Sequence, residues 1–235
     1  MKYITLFEQQ TAFDNAKSTL DKPNMSLVTE TGNVYSLTEG GGVTYEYVDL
    51  GLSVKWAKCN VGAEKETDAG LYFAWGETTG YTASQVETDK QFSWSDYKYG
   101  NSRSNLTKYN QSDSKTVLES TDDAASQIMG GDWRMPTQDE LLELYNNTTN
   151  EWATINGVSG RKFTSKKNGN SIFIPAAGYC SDGSVGGVGS YGGVWSSSLG
   201  TSGLSGAWDL DFDSSNCSTD NYDRYEGRSV RGVRK

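Results

Sequence analysis

Histidine is absent from all 235 residues. Its absence removes the commonest general base, the usual triad partner of a nucleophilic Ser or Cys and the commonest zinc ligand. No catalytic constellation, no metal and no cofactor is therefore expected. Cysteine is scarce: Cys59, Cys180 and Cys217 are far apart, and no C-x-x-C pair writes a zinc ribbon or a redox motif. One bridge among the three would leave a thiol over. Positive charge is also short, with 21 Lys and Arg against 30 Asp and Glu and a formal net charge of -9, which argues against nucleic acid as a partner. Nowhere do 18 apolar residues run together, so no membrane span is expected. Residues 1–13 hold only a short apolar run (Ile4, Leu6, Phe7) before Glu8, which is too little for a secretory h-region, and Sec export is not expected.

What the chain does have is 27 Gly, 14 Tyr, 7 Trp and 7 Phe, the composition of a turn-rich protein whose core is built largely from rings. Residues 1–42 read as a small separate attachment unit. In it, Thr11 caps a helix over 12–20, Pro23 follows, and short strands at 25–29 and 34–37 flank Thr31-Gly32-Asn33, with Gly40-Gly41-Gly42 as a hinge. Such a unit buries little by itself. The remainder, 43–235, reads as one α+β domain of short strands, one or two helices and long loops. An alternating strand is expected over 45–52, an aromatic strand or buried turn over 70–76, and loops pinned by Phe92, Trp94, Tyr97 and Tyr99 over 77–120. A short helix is expected over 122–128. The clearest helix follows Pro136: Thr137 and Glu140 form a capping box, and Leu141, Leu142, Leu144 and Tyr145 make its apolar face. Strands follow at 152–155, 161–165 and 171–175.

The C-terminal third differs in kind. Residues 168–223 contain no Lys, Arg, Glu, Gln or Met, whereas residues 1–167 contain 36 of Lys, Glu, Gln and Met; at that density roughly twelve would be expected in the later segment. Gly, Ser, Asp, Asn and Tyr fill it, on a sparse frame of Val, Leu, Trp and Phe. In Trp208-Asp209-Leu210-Asp211-Phe212-Asp213 the alternation sets three apolar side chains on one strand face and three carboxylates on the other. Asp209, Asp211 and Asp213 also mimic the opening of a calcium loop, but Leu210 and Phe212 demand a strand and Ser214 stands where that loop needs Gly. The Gly-rich run 183–193 lacks the Lys-Ser/Thr of a phosphate cradle and reads as a surface loop. The basic end, 224–235, reads as a closing strand whose arginines neutralise acidic loops, and Arg134 as a buried or half-buried charge partner.

Six stretches carry a resemblance: Val48-Asp49-Leu50-Gly51-Leu52-Ser53-Val54-Lys55-Trp56-Ala57, residues 70–78, Gly131-Asp132-Trp133-Arg134-Met135-Pro136-Thr137, residues 173–179, Trp195-Ser196-Ser197 and Gly227-Arg228-Ser229-Val230-Arg231. Over about 45–234 the chain resembles C-type lectin-fold proteins of gut Bacteroidetes and their phages, including major paralogous domains and variable proteins of diversity-generating retroelements. In the latter, adenines near the 3′ end of the gene are replaced, usually in Asn codons, and the altered residues form a ligand-binding surface. Substitution at the two leading adenines of an Asn codon never yields Lys, Glu, Gln, Met or Trp, which fits the composition of 168–223.

The resemblance implies a variable region over about 179–223. Its ligand-contacting positions would be Tyr191, Gly193, Gly200, Gly203, Ser205, Gly206, Asp209, Asp211, Asp213, Ser215, Asn216, Ser218, Asp220, Tyr222 and Asp223. These should cluster on one exposed face above buried Trp195, Leu210 and Phe212. Residues 4–37 resemble amino-terminal segments of Bacteroides phage structural proteins. The implied role is a non-enzymatic recognition module in a phage particle, engaging a bacterial surface protein or glycan receptor. Oligomerisation is open, with trimers the family analogy. The alternative is a fixed bacterial surface lectin or structural member of the same family.

Overall fold

The computed structural model describes residues 26–28, 34–36, 45–200 and 203–235. The chain divides into two compact units, Met1–Tyr45 and Glu46–Lys235. In the first, β1 (Ser26–Val28) and β2 (Val34–Ser36) form an antiparallel pair with Leu27 opposite Tyr35, at the place where two short strands were expected. The expected helix over 12–20, the turn at Thr31-Gly32-Asn33 and the hinge at 40–42 lie outside the described residues.

The second unit is mixed α+β. Its first strand is shorter than the alternation over 45–52 suggests: only Tyr47–Val48 (β3) pairs, with Lys55–Ala57 (β4). Asp49 Oδ1 accepts the Gly51 N–H at 2.7 Å, and Gly51 takes a φ of 67°. This local turn bends the chain out of the sheet, and glycine permits it without steric cost. Val233–Arg234 (the last strand, β17) pairs with β4 on its other edge, so the two ends of the unit share a sheet.

Tyr72–Phe73 (β5) follows, and 77–120 is mostly loop, with one small hairpin from Gly100–Ser102 (β6) and Asn105–Leu106 (β7). Rings and one carboxylate hold these loops. Tyr97 OH donates to the Trp75 carbonyl at 2.8 Å, Tyr99 and Tyr109 meet edge to face, and both donate their hydroxyls to buried Asp122. A 3-10 turn at Ser120–Asp122 leads into helix α1 (Ala124–Met129), capped by Asp123 accepting the Ser126 N–H. Helix α2 (Gln138–Asn147) begins with the expected capping box between Thr137 and Glu140. Arg134 is half-buried and forks onto both Glu140 oxygens.

Strands β8 (Thr148–Ile155), β9 (Val158–Ser165) and β10 (Ser171–Pro175) form an antiparallel meander in the order β10-β9-β8. The Gly-rich stretch is not merely a loop. Tyr179–Ser181 (β11) and Ser184–Gly186 (β12) close a hairpin before β13 (Tyr191–Leu199) begins. β14 (Gly206–Asp213), β15 (Cys217–Asp223) and β16 (Arg228–Ser229) complete a five-stranded sheet in the order β15-β14-β13-β16-β5. Residues 168–223 contain no helix among the described residues.

The core lies between α2, the meander and one face of this sheet. Leu141 and Leu144 of α2 meet Phe163, Ile172 and Ile174 of the meander and Val194, Leu210 and Phe212 of the sheet, together with Leu50, Val54, Trp56 and Val233. Leu210 and Phe212 are thus buried as the alternation demands, with Trp152 edge-on to Phe212 at 6.5 Å. Burying such side chains stabilises by about 1.5–3 kcal/mol each. Trp195 is also fully buried, but on the sheet's other face, where its Nε1 donates to the Phe73 carbonyl at 2.8 Å.

The expectation that the arginines of the basic end neutralise acidic loops holds in part. Arg224, Arg228 and Arg231 are all fully buried; Arg228 pairs with Glu226 and Asp209, whereas Arg224 and Arg231 bond mainly backbone carbonyls. Arg231 donates to the carbonyls of Ala57, Lys58 and Phe173 and to Asn60 Oδ1, tying its own segment to residues 57–60 and to β10. Arg224 donates to the carbonyls of Lys108 and Tyr109 and faces the rings of Trp75 and Tyr97. A planar guanidinium presents five donors in a fixed fork, which suits it to collect carbonyls from several segments at once. Arg234 also follows the expectation, pairing with exposed Asp132 at 3.3 Å. Cys59, Cys180 and Cys217 are free thiols. Among the described residues no helix is long and apolar enough to cross a membrane.

Candidate functional site

The site is the sheet face turned away from the α2 core. Register assigns it: Tyr191, Gly193 and Trp195 of β13 stand opposite Asp213, Asp211 and Asp209 of β14, while Asp209, Asp211 and Ala207 stand opposite Asp220, Ser218 and Tyr222 of β15. Directly paired residues share a face, so these side chains project together while Val194, Leu210, Phe212 and Cys217 project into the core.

Arg228 sits at the centre. Its guanidinium carbon lies 3.8 Å from the Tyr222 ring centroid, a stacked contact, and 5.3 Å from that of Trp195. Nη1 donates to Tyr191 OH at 3.0 Å and lies 3.3 Å from Asp209 Oδ2, while Nη2 donates to Glu226 Oε2 at 2.9 Å. The network then reaches the surface: Tyr191 OH (3.3 Å) and Tyr222 OH (3.0 Å) both donate to Asp211 Oδ2, and Ser218 Oγ donates to Asp211 Oδ1 at 2.9 Å. Tyr179 packs edge to face on Tyr191 at 5.7 Å. Two tyrosines and a carboxylate are therefore held in fixed orientation over a buried cation.

Electrostatics follow from burial. Asp209 is fully buried and neither of its oxygens accepts a hydrogen bond. Burial pushes its carboxyl up to about 8, against the pull of Arg228. Burial likewise pushes the Tyr222 phenol up to about 12, and raises Tyr191 despite Arg228 beside it. Burial raises Glu226 as well, again against Arg228.

The fifteen sequence-derived positions divide. Gly203, Ser215, Asn216, Ser218 and Asp220 are exposed, and Tyr191, Ser205, Asp211, Asp213, Tyr222 and Asp223 are half-buried. Of these eleven, Tyr191, Asp211, Asp213, Ser218, Asp220 and Tyr222 share the sheet face. Ser215 and Asn216 lie in the β14–β15 turn at one end of the strands, and Gly203, Ser205 and Asp223 lie at the other end.

Four positions correct the reading. Asp209 shares the face but lies beneath its surface, in ion-pair contact with Arg228. Gly193, Gly200 and Gly206 are buried. A Cβ at Gly193 would come within 2.5 Å of Arg228 Nη1 and 3.1 Å of Asp209 Oδ2, and at Gly200 or Gly206 it would strike the Asn221 amide. These four lie beneath the surface.

Arg228, Glu226 and Tyr179 were missed as site residues. Arg228 falls within a motif already singled out, Gly227-Arg228-Ser229-Val230-Arg231, but nothing local shows that its side chain reaches under β14. As for metals, among the described residues no three Cys, Asp or Glu side chains gather as a metal-binding group. Asp209, Asp211 and Asp213 line one strand face, where alternate residues stand roughly 7 Å apart, and the first of them is taken by Arg228.

A family model described as a domain of unknown function, DUF8237, matches residues 144–233, from the last turn of α2 through the first residue of β17. No curated protein and no solved structure matches the chain.

Proposed function

We propose that the chain is a non-enzymatic recognition module of C-type lectin-like fold whose β13-β14-β15 face is a diversified binding surface of the retroelement type. The observation that carries this reading is the separation of the sheet's two faces. Leu210, Phe212 and Val194 hold the core on one side, while Tyr191, Asp211, Asp213, Ser218, Asp220 and Tyr222 stand on the other, so outward residues change without entering the core. Tyr for contact area and Ser, Asp and Asn for adaptable hydrogen bonds make a paratope-like set on a rigid support. The permitted codon outcomes are consistent with the absence of Lys, Glu, Gln and Met from 168–223.

In the same reading residues 1 to about 42 attach the protein to a phage particle, and the face engages a bacterial surface protein or glycan. Sequencing this gene and its neighbourhood across isolates tests the proposal. Substitutions concentrated at the eleven accessible positions, with a template repeat and a reverse transcriptase gene nearby, are expected; an invariant 179–223 segment without a repeat would refute it. Mass spectrometry of purified particles tests the virion assignment, which consistent absence of the polypeptide would overturn.

A fixed surface lectin of the same family is the second reading. It draws on the four positions that cannot vary freely, Gly193, Gly200, Gly206 and Asp209, which narrow the diversifiable set.

A further inference from the structure

The outer edge of β15 borders the proposed recognition face, and among the described residues no other strand pairs with it. Asp213 N–H bonds the Asn216 carbonyl and Arg224 N–H bonds the Ser205 carbonyl. With the β14–β15 register, these two bonds fix the parity: Ser218, Asp220 and Tyr222 exchange hydrogen bonds with β14, while Cys217, Thr219 and Asn221 turn their N–H and C=O groups outward. Among the described residues no group bonds the outward N–H of Cys217 or Thr219, or the outward carbonyls of Cys217, Thr219 and Asn221. The Asn221 N–H is met only by the neighbouring Asp220 carboxylate, at 2.7 Å. An edge strand of seven residues presenting such a row is a template for another strand.

Charge selects what that strand is. Asp220 is exposed, and neither it nor Asp211 has a basic side chain within 4 Å among the described residues, whereas the nearby Asp223 is already paired with Arg103. On an added strand, a cationic side chain on the recognition face would stand beside Asp220 and near the Tyr222 ring, so Coulombic and cation–π attraction act together. The site shows this chemistry internally, because Arg228 already stacks on Tyr222 from beneath. A second copy of the chain is disfavoured, since each carries a net charge of -9.

We infer that the β15 edge binds an extended basic polypeptide segment by strand addition. Backbone bonds come from Cys217, Thr219 and Asn221, and selectivity for Lys or Arg comes from Asp220 and Tyr222. This names the partner chemistry of the recognition face and rests on that face being a recognition surface. The two ideas fail separately, because variation among isolates tests the surface and peptide binding tests the edge.

The test uses the full chain and two labelled nine-residue peptides, one alternating Lys and Thr and the other alternating Glu and Thr. Fluorescence anisotropy should show binding of the Lys-Thr peptide and none of the Glu-Thr peptide, with amide shifts in NMR spectra centred on residues 217–221. Thr219→Pro removes an outward N–H from an edge strand, a place where proline is tolerated; it should weaken the Lys-Thr peptide at least tenfold with the melting curve nearly unchanged. A Lys-Thr peptide N-methylated on the amides facing β15 should lose affinity to the same degree, which keeps the test valid if the proline variant misfolds. Asp220→Lys should reverse the preference towards the Glu-Thr peptide. Equal binding by the proline variant, undiminished binding of the N-methylated peptide, amide shifts away from β15, no binding at millimolar peptide, or dimerisation through this edge would each overturn the inference.

Discussion

Two buried aspartates, Asp122 among the loops and Asp209 under the β13-β14-β15 face, take opposite directions. Asp122, pinned among the loops at 77–120, accepts hydrogen bonds from Tyr99 OH, Tyr109 OH and Lys108 Nζ. Burial alone would raise its carboxyl, but these donors hold it down to about 2. Asp209, under the β13-β14-β15 face, is more deeply buried and accepts no hydrogen bond among the described residues, so burial drives it up to about 8 even with Arg228 beside it. Donors aimed at a carboxylate decide its charge more than a cation at 3.3 Å that makes no hydrogen bond to it. The Asp122 carboxylate is therefore satisfied, while the Asp209 carboxylate is not.

The sharpest way to break this comparison is Arg228→Ala. It would leave Asp209 and Glu226 without their cation and unsupport the Tyr222 ring. A loss of about 3–5 kcal/mol is expected in urea unfolding, as for other buried pairs that lose one partner. A loss below about 1 kcal/mol would mean that the pair is not the support of this face.

Asp122→Asn keeps the shape but removes the charge from three converging donors, and should cost about 1.5–3 kcal/mol, the range of charge-assisted bonds. Gly193→Ser, which drives a side chain into Arg228 and Asp209, should cost about 1–3 kcal/mol by overpacking; a neutral result would restore position 193 to the diversifiable set.

The pH dependence sharpens the contrast in sign. Asp209, with its folded value raised, contributes stability that is fully present below its ordinary value of 3.8 and is lost as pH rises towards about 8. Asp122, with its folded value lowered, contributes stability present above 3.8 and lost as pH falls through about 2. Between pH 5 and 8, a window that lies between the two Asp209 values, the wild type should therefore lose roughly 3–4 kcal/mol relative to Asp209→Asn. Parallel stability curves for the two proteins would refute the raised carboxyl. Smallest of all, Gly203→Ser and Ser218→Ala, both at exposed positions, should stay within about 0.5 kcal/mol of wild type by thermal melting.

Elements governed by neighbouring residues were legible in the chain. The Thr137–Glu140 box starts α2 because both reciprocal bonds span three residues. The 208–213 alternation sorts Leu210 and Phe212 from the three aspartates because side chains alternate in any strand. The meander β8-β9-β10 follows from apolar runs separated by turn residues, although β8 and β9 begin earlier than those runs suggest.

Placement within a face was not legible. Alternation puts Asp209, Asp211 and Asp213 on one side of β14 but carries no information on how deep each lies, and that depth depends on a strand that pairs with β13, not with β14. Parallel pairing of Val194 with Ser229 is what brings Arg228 under Asp209 and covers it. The same holds for Arg224 and Arg231, whose carbonyl partners lie 58 to 174 residues away in other segments of the chain. Local order is set by interactions a few residues long, which the chain spells out directly. The depth of a charge is set by whichever distant segment closes over it, and for Asp209 and Arg228 only the assembled sheet supplies that cover.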